Sequence, residues 1–133
     1  MSIRDSRSIP KLFLYIFFSL FLICAPLLAQ FESEIEKYRK AIEANPNDLD
    51  SMVQLARYLS WSEKYEEAIT YFKKVLAVQP DHAEAKVGLA TVYSWQKKYK
   101  ESIKLYQEVL SKYPDSVDAM AGLLDKEATE FKD

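Results

Sequence analysis

The chain has 133 residues, a formal net charge of −2 at pH 7, one cysteine and two glycines. This length excludes a multidomain enzyme. So few glycines exclude a Gly-rich phosphate loop and disfavour a β fold with many tight turns, and the acidic charge poorly suits nucleic acid or an anionic membrane surface.

The N-terminal segment, residues 1–29, has the composition of an export signal. Its basic side chains come first, namely Arg4, Arg7 and Lys11. An uncharged apolar run then extends from Leu12, and the small residue Ala29 stands before a plausible cleavage site. We therefore predict a bacterial signal peptide over residues 1–29 and a folded domain over residues 30–133, which is more acidic than the whole chain.

Two alternatives to cleavage remain open for this segment. The uncharged run would rise about 27 Å as a helix, close to the roughly 30 Å hydrocarbon core, so it could be an uncleaved anchor in the inner membrane. Pro26 favours cleavage, because a proline would interrupt a spanning helix. Lipid attachment at Cys24 is disfavoured, since Ile23 stands where a lipoprotein signal needs a small residue. In each case the domain lies in the periplasm or the cell envelope.

A repeat of 34 residues organises the rest of the chain. Pro46, Pro80 and Pro114 are evenly spaced, and aligning residues 47–80 with residues 81–114 gives 12 identities without a gap. The identical pairs include Val53/Val87, Leu55/Leu89, Ala56/Ala90, Ser60/Ser94, Trp61/Trp95, Tyr65/Tyr99 and Ile69/Ile103. Apolar residues recur at three and four within each period, which predicts two helices per repeat.

Helix-start residues support this division. Asp48, then Asp81 or His82, and Ser116 follow the three prolines at positions where an N-cap belongs. We predict six helices, over about residues 32–44, 48–62, 65–78, 82–96, 99–112 and 116–131.

The pattern resembles the tetratricopeptide repeat, a helix-turn-helix unit with small, aromatic and proline positions in fixed order. The matching residues are Leu55 and Leu89, Ala56 and Ala90, Leu59 and Tyr93, Ala68 and Ser102, Phe72 and Tyr106, and Pro80 and Pro114. Met52 and Lys86 depart from the family's frequent tryptophan, and Val75 and Val109 from its alanine. The resemblance implies an all-α short solenoid with full repeats at 47–80 and 81–114 and half repeats at 31–46 and 115–133.

The resemblance also implies that the first helix of each pair lines a concave face. The candidate ligand groove consists of Val53, Arg57, Ser60, Trp61, Val87, Thr91, Ser94 and Trp95. Acidic side chains share one further position of this face, namely Asp50, Glu84 and Asp118. A tryptophan offers a broad apolar plate to a peptide side chain or a sugar face, and Arg57 could meet a carboxylate. The alternative is that each tryptophan closes its own helix turn by packing on Tyr65 or Tyr99.

These features favour a non-enzymatic binding module with no cofactor and no metal. His82 has no cysteine partner and no second imidazole, and the acidic pairs come without a pocket signal. We expect an exported adaptor or assembly scaffold that binds a peptide or protein in its groove. There are two alternatives: a self-associating structural protein, and a polysaccharide-binding component of an envelope export system. The second is suggested by the Ser-Trp pair before each turn between helices, which resembles repeats found in polysaccharide-export proteins. Some family members bind a terminal carboxylate through lysines and asparagines at these inner positions. Other residues stand there in this chain, so we do not predict binding of a terminal carboxylate.

Export with loss of residues 1–29 is the first testable prediction. We expect the protein from the envelope fraction of its bacterial host to begin at Gln30, because cationic, apolar and small residues follow one another in the order that signal peptidase recognises. Intact-mass measurement or N-terminal sequencing checks this. A chain that still begins near Met1 and resists salt extraction would instead show an anchor.

Overall fold

The computed structural model describes residues 11–130, which form six helices and no strand. The helices are α1 (Lys11–Ala44), α2 (Leu49–Trp61), α3 (Tyr65–Val78), α4 (Ala83–Trp95), α5 (Tyr99–Lys112) and α6 (Val117–Glu130). Helix α2 packs against α3 and α4 against α5, while α1 covers the first pair and α6 the second. The expected all-α solenoid of antiparallel helix pairs is confirmed.

Helix α1 differs most from the sequence-based expectation. It was predicted to begin near residue 32, but it begins at Lys11 and continues through Pro26, so the apolar run and the first half repeat share one helix. A proline removes a single backbone hydrogen bond, and here the turns on both sides stay helical. Arg4 and Arg7 of the expected cationic start, and Phe131, lie outside the described residues. Within the described part of the chain, no helix is long and apolar enough to cross a membrane.

Side chains cap the helices that follow the prolines. The Asp48 carboxylate accepts hydrogen bonds from the Ser51 backbone N–H (3.0 Å) and hydroxyl (2.7 Å), which lower its pKa. His82 caps α4, since its Nδ1 accepts from the Ala85 N–H at 3.3 Å. Asp81, the other candidate at this start, instead pairs with Lys112 at 2.6 Å. Helices α2 and α4 therefore begin where a side-chain cap satisfies a backbone donor.

The turn inside each helix pair has the same backbone conformation. Glu63 and Lys97, one repeat apart, both adopt a left-handed conformation with φ of 60°. In each turn the following N–H donates back into the first helix, from Lys64 to the Leu59 carbonyl (2.9 Å) and from Lys98 to the Tyr93 carbonyl (2.8 Å). This turn reverses the chain so that the second helix lies antiparallel to the first.

Small residues lie where the two helices of a pair approach each other. Ala56 and Ala68 are fully buried within the first pair. In the second pair the buried Ser102 hydroxyl donates to the Ala90 carbonyl of the facing helix at 2.7 Å. The Ser102 hydroxyl can reach the facing backbone only if the two helices pack closely. Neither Ala56 nor Ala90, both fully buried, therefore has room for a larger side chain.

Ala56→Leu and Ala90→Leu should each destabilise the protein by about 1 to 3 kcal/mol, because the added carbons overpack the contact between two helices. The free energy of unfolding from urea denaturation measures this. Ala77→Leu, at an exposed position of α3, is the matched control and should change stability by no more than about 0.5 kcal/mol. Unchanged midpoints for both buried variants would show that the repeat alignment is wrong.

Candidate functional site

A groove of about 630 Å³ runs along one face of the stack. It is bordered by the first helices of three successive units, α2, α4 and α6. Six of the eight candidate residues line it: Arg57, Ser60, Trp61, Val87, Thr91 and Trp95. Val53 and Ser94 do not line it; Val53 is only 1% exposed and belongs to the core. The ligand-binding role of the lining residues stays a prediction.

The floor of the groove is made by aromatic rings that reach it from the second helices. The Phe72 ring from α3 lies beneath Gly88, and the Tyr106 ring from α5 lies beneath Gly122. A Cβ at Gly88 would stand 2.4 Å from Phe72 Cζ, and one at Gly122 would stand 2.3 Å from Tyr106 Cζ. The glycines are therefore required for close approach of the rings.

Sequence reasoning missed these floor residues as part of the site. Their signal was present, because the only two glycines of the chain stand one repeat apart, each sixteen residues after a conspicuous aromatic side chain. The Tyr106 hydroxyl adds a polar point to the floor, where it lies 3.0 Å from the Thr91 hydroxyl.

The two tryptophans pack on the preceding unit and leave almost half of their surface exposed. Trp61, 46% exposed, contacts Phe31 of α1 with a centroid distance of 6.2 Å and meets Tyr58 edge-on at 5.3 Å. Trp95, 45% exposed, contacts Tyr65 of α3 at 5.9 Å. Trp95 therefore packs on Tyr65, one repeat back, and the corresponding partner of Trp61 is Phe31 rather than Tyr65. Each ring is anchored from behind while it borders the groove.

Arg57 already pairs with a carboxylate of the protein itself, so it is not free to bind one from a ligand. Its guanidinium lies over the Trp61 ring, 5.4 Å from the centroid, and Nη1 donates to Glu84 Oε1 at 2.7 Å. The same carboxylate oxygen accepts a longer hydrogen bond from Gln54 Nε2 at 3.4 Å. Glu84 belongs to the next unit, so this cluster joins two repeats at one end of the groove.

Two hydroxyls of the groove wall are used within their own helices. The buried Ser60 hydroxyl donates to the Ala56 carbonyl at 2.7 Å, and the Thr91 hydroxyl lies 2.9 Å from the Val87 carbonyl. Among the described residues, no cluster of three or more His, Cys, Asp or Glu side chains could hold a metal ion. The groove thus combines exposed aromatic rings, one internal ion pair and several carboxylates. This combination suits the binding of an extended side chain.

Comparison with known sequences identifies the repeat. Two models described as tetratricopeptide repeat match the chain, one over residues 61–126 and one over residues 37–70, and together they cover more than half of it. No curated protein gives a match.

Solved structures show the same architecture at low sequence identity. The first tetratricopeptide domain of Spaghetti (RPAP3), bound to the HSP90 peptide SRMEEVD, has a TM-score of 0.71 and 19% identity over 76% of this chain and 80% of that one. The Sgt2 domain from Aspergillus fumigatus has a TM-score of 0.72 and 18% identity over 82% and 74%. MamA from Desulfovibrio magneticus RS-1 has a TM-score of 0.69 and 18% identity, and the match covers 81% of this chain and 61% of the MamA chain.

Gly88→Ala should lower the free energy of unfolding by about 1 to 3 kcal/mol, although alanine favours helix by up to about 1 kcal/mol. The reason is that the fully buried Phe72 ring cannot move aside for the new methyl group. Gln54→Ala changes the same repeat position of the preceding unit and is the control in urea denaturation. A Gly88→Ala protein as stable as the wild type would refute the tight floor contact.

Proposed function

Because the chain belongs to the tetratricopeptide repeat family, we propose that it is a non-enzymatic interaction module that holds a segment of a partner protein in its concave groove. It works in the bacterial cell envelope, after export directed by residues 1–29, as an adaptor or an assembly scaffold. The partner binds along α2, α4 and α6, which border the groove together.

The pair of half-exposed tryptophans is the observation that carries this proposal. Buried aromatic anchors supply much of the energy at protein interfaces, and a ring fixed from behind loses little freedom when a ligand covers it. Trp61 is fixed by Phe31 and Tyr58, and Trp95 by Tyr65. Both rings border one groove, so one extended segment can contact both.

The size and lining of the groove fit a peptide chain. Its volume of about 630 Å³ lies within the range of ordinary ligand sites, and its floor is apolar and aromatic at Phe72 and Tyr106. Polar groups of the rim, such as Glu84 and Asp118, are spaced along its length. The peptide-bound domain of Spaghetti supports the general mode of binding, because it has the same fold. The location rests on the composition of residues 1–29.

Trp61→Ala and Trp95→Ala should each weaken partner binding by more than about 1 kcal/mol, as expected for an anchoring aromatic ring. A partner recovered from envelope extract is purified, and its affinity for each variant is measured by calorimetry. Arg57→Ala should also weaken binding, because the Arg57 guanidinium links the Trp61 ring to Glu84 of the next unit and so holds both side chains in place along the groove. Circular dichroism first establishes that each variant keeps its helices.

Tyr113→Ala is the matched control, since this ring is 42% exposed and lies outside the groove lining. It should bind the partner as the wild type does. If the two tryptophan variants and Arg57→Ala also bind normally while folded, the groove is not the working surface. Binding would then belong to the convex face or to the solenoid ends, such as the exposed apolar side chains of α6, Val117, Met120 and Leu124.

A further inference from the structure

The groove contains two copies of one constellation, and the copies differ in a single charge. In the first copy, Arg57, Trp61 and Glu84 lie together. A shift of one repeat along the sequence gives Thr91, Trp95 and Asp118. All six side chains border the same groove. The aromatic ring and the carboxylate are thus present twice, while the cation is present once.

The first copy shows what this constellation binds. The Arg57 guanidinium lies 5.4 Å from the Trp61 ring centroid and donates to Glu84 at 2.7 Å. Gln54 donates to the same carboxylate at 3.4 Å. A guanidinium is well suited to such a place, because its plane stacks on an aromatic face while its N–H groups reach a carboxylate.

Both donors that hold the carboxylate in the first copy are replaced in the second. Thr91 stands in the position of Arg57, and its hydroxyl is used by the Val87 carbonyl and Tyr106. Gly88 stands in the position of Gln54 and has no side chain that could donate to a carboxylate. No hydrogen bond or ion pair joins exposed Asp118 to another described residue.

We propose that Trp95 and Asp118 form a binding site for an arginine side chain of the partner, which takes the place that Arg57 takes beside Trp61 and Glu84. This inference rests on the proposed peptide-binding function and names the chemistry of its ligand. The ligand arginine lies over the exposed face of Trp95 and donates to the Asp118 carboxylate. Its aliphatic stem passes over Gly88 and Thr91.

The charge of the groove agrees with a cationic ligand. Glu84 is paired with Arg57, whereas no cation among the described residues pairs with Asp118, and the whole chain is acidic. An acidic peptide tail would meet Asp118 without a cation to offset it. The site therefore selects a segment of opposite sign to the acidic peptide bound by the Spaghetti domain.

Nuclear magnetic resonance of the full-length protein in a non-ionic detergent tests the site directly. The chain has two tryptophans, so its indole N–H groups give two signals, which Trp61→Phe assigns. The probe is the blocked tripeptide acetyl-Ala-Arg-Ala-amide, and the matched control replaces its arginine by uncharged citrulline. We expect the arginine peptide to shift the Trp95 signal with saturation, to leave the Trp61 signal nearly unchanged, and to bind about tenfold more tightly than the citrulline peptide.

Two variants test the assigned residues. Asp118→Asn keeps the shape of the side chain and should weaken the arginine peptide about tenfold, to the level of the citrulline peptide. Thr91→Arg should fill the site from within, move the Trp95 signal toward its ligand-bound position and abolish the response to the peptide. Thr91→Gln, which is long and polar but uncharged, should still respond to the arginine peptide.

Equal affinities for arginine and citrulline, or an Asp118→Asn protein that binds like the wild type, would overturn the arginine site. A shift confined to Trp61 would overturn it as well. These results are separate from the test of the groove itself. If the tryptophan variants lose the natural partner but the arginine peptide gives no Trp95 shift, the groove function holds and only the arginine assignment fails.

Discussion

The contact between an aromatic ring of one unit and a glycine of the next determines the shape of this molecule. Phe72 lies against Gly88 and Tyr106 against Gly122 so closely that a single added carbon would overlap the ring. Because the interior is packed to crystal-like density, neither ring has another place to go. The first helix of each following unit is therefore held close to the preceding second helix, and the groove above these contacts has an aromatic floor.

The proposed binding surface and the packing of the repeats depend on the same side chains. Trp95 is held by Tyr65 of the preceding unit, and Trp61 by Phe31 of the half repeat in α1. A ring that is half buried in this way supports the stack with one part and offers the other to a ligand. The choice posed by the sequence, between a structural tryptophan and a ligand-contacting one, is thus not exclusive.

The two repeats that border the groove are nearly symmetric, so the positions at which they differ are informative. Most positions of the groove repeat after 34 residues, including the tryptophans and the neighbouring acids at 84 and 118. The donors differ, since Arg57 and Gln54 hold the carboxylate in one copy while Thr91 and Gly88 stand in the other. One end of the groove is consequently closed by an internal ion pair, and the other has an exposed carboxylate beside an exposed ring.

The sequence by itself determined the repeat, the helix pairs and the fold class. These follow from local features that recur in each 34-residue repeat, namely apolar residues spaced by three and four, helix caps such as Asp48, and prolines that end helices. It also placed six of the eight candidate residues on the groove wall, because helical rotation fixes which side chains share a face.

Tertiary structure alone decided which side chains meet across units. Val53 lies at an inner position by rotation, yet α2 is covered widely enough to bury it. Trp95 packs on Tyr65 of the preceding unit, and Arg57 pairs with Glu84 of the following one, because the offset between neighbouring units sets those distances. Sequence periodicity records spacing along one helix, whereas the offset between helices arises from packing volumes, here from the rings that only glycine admits.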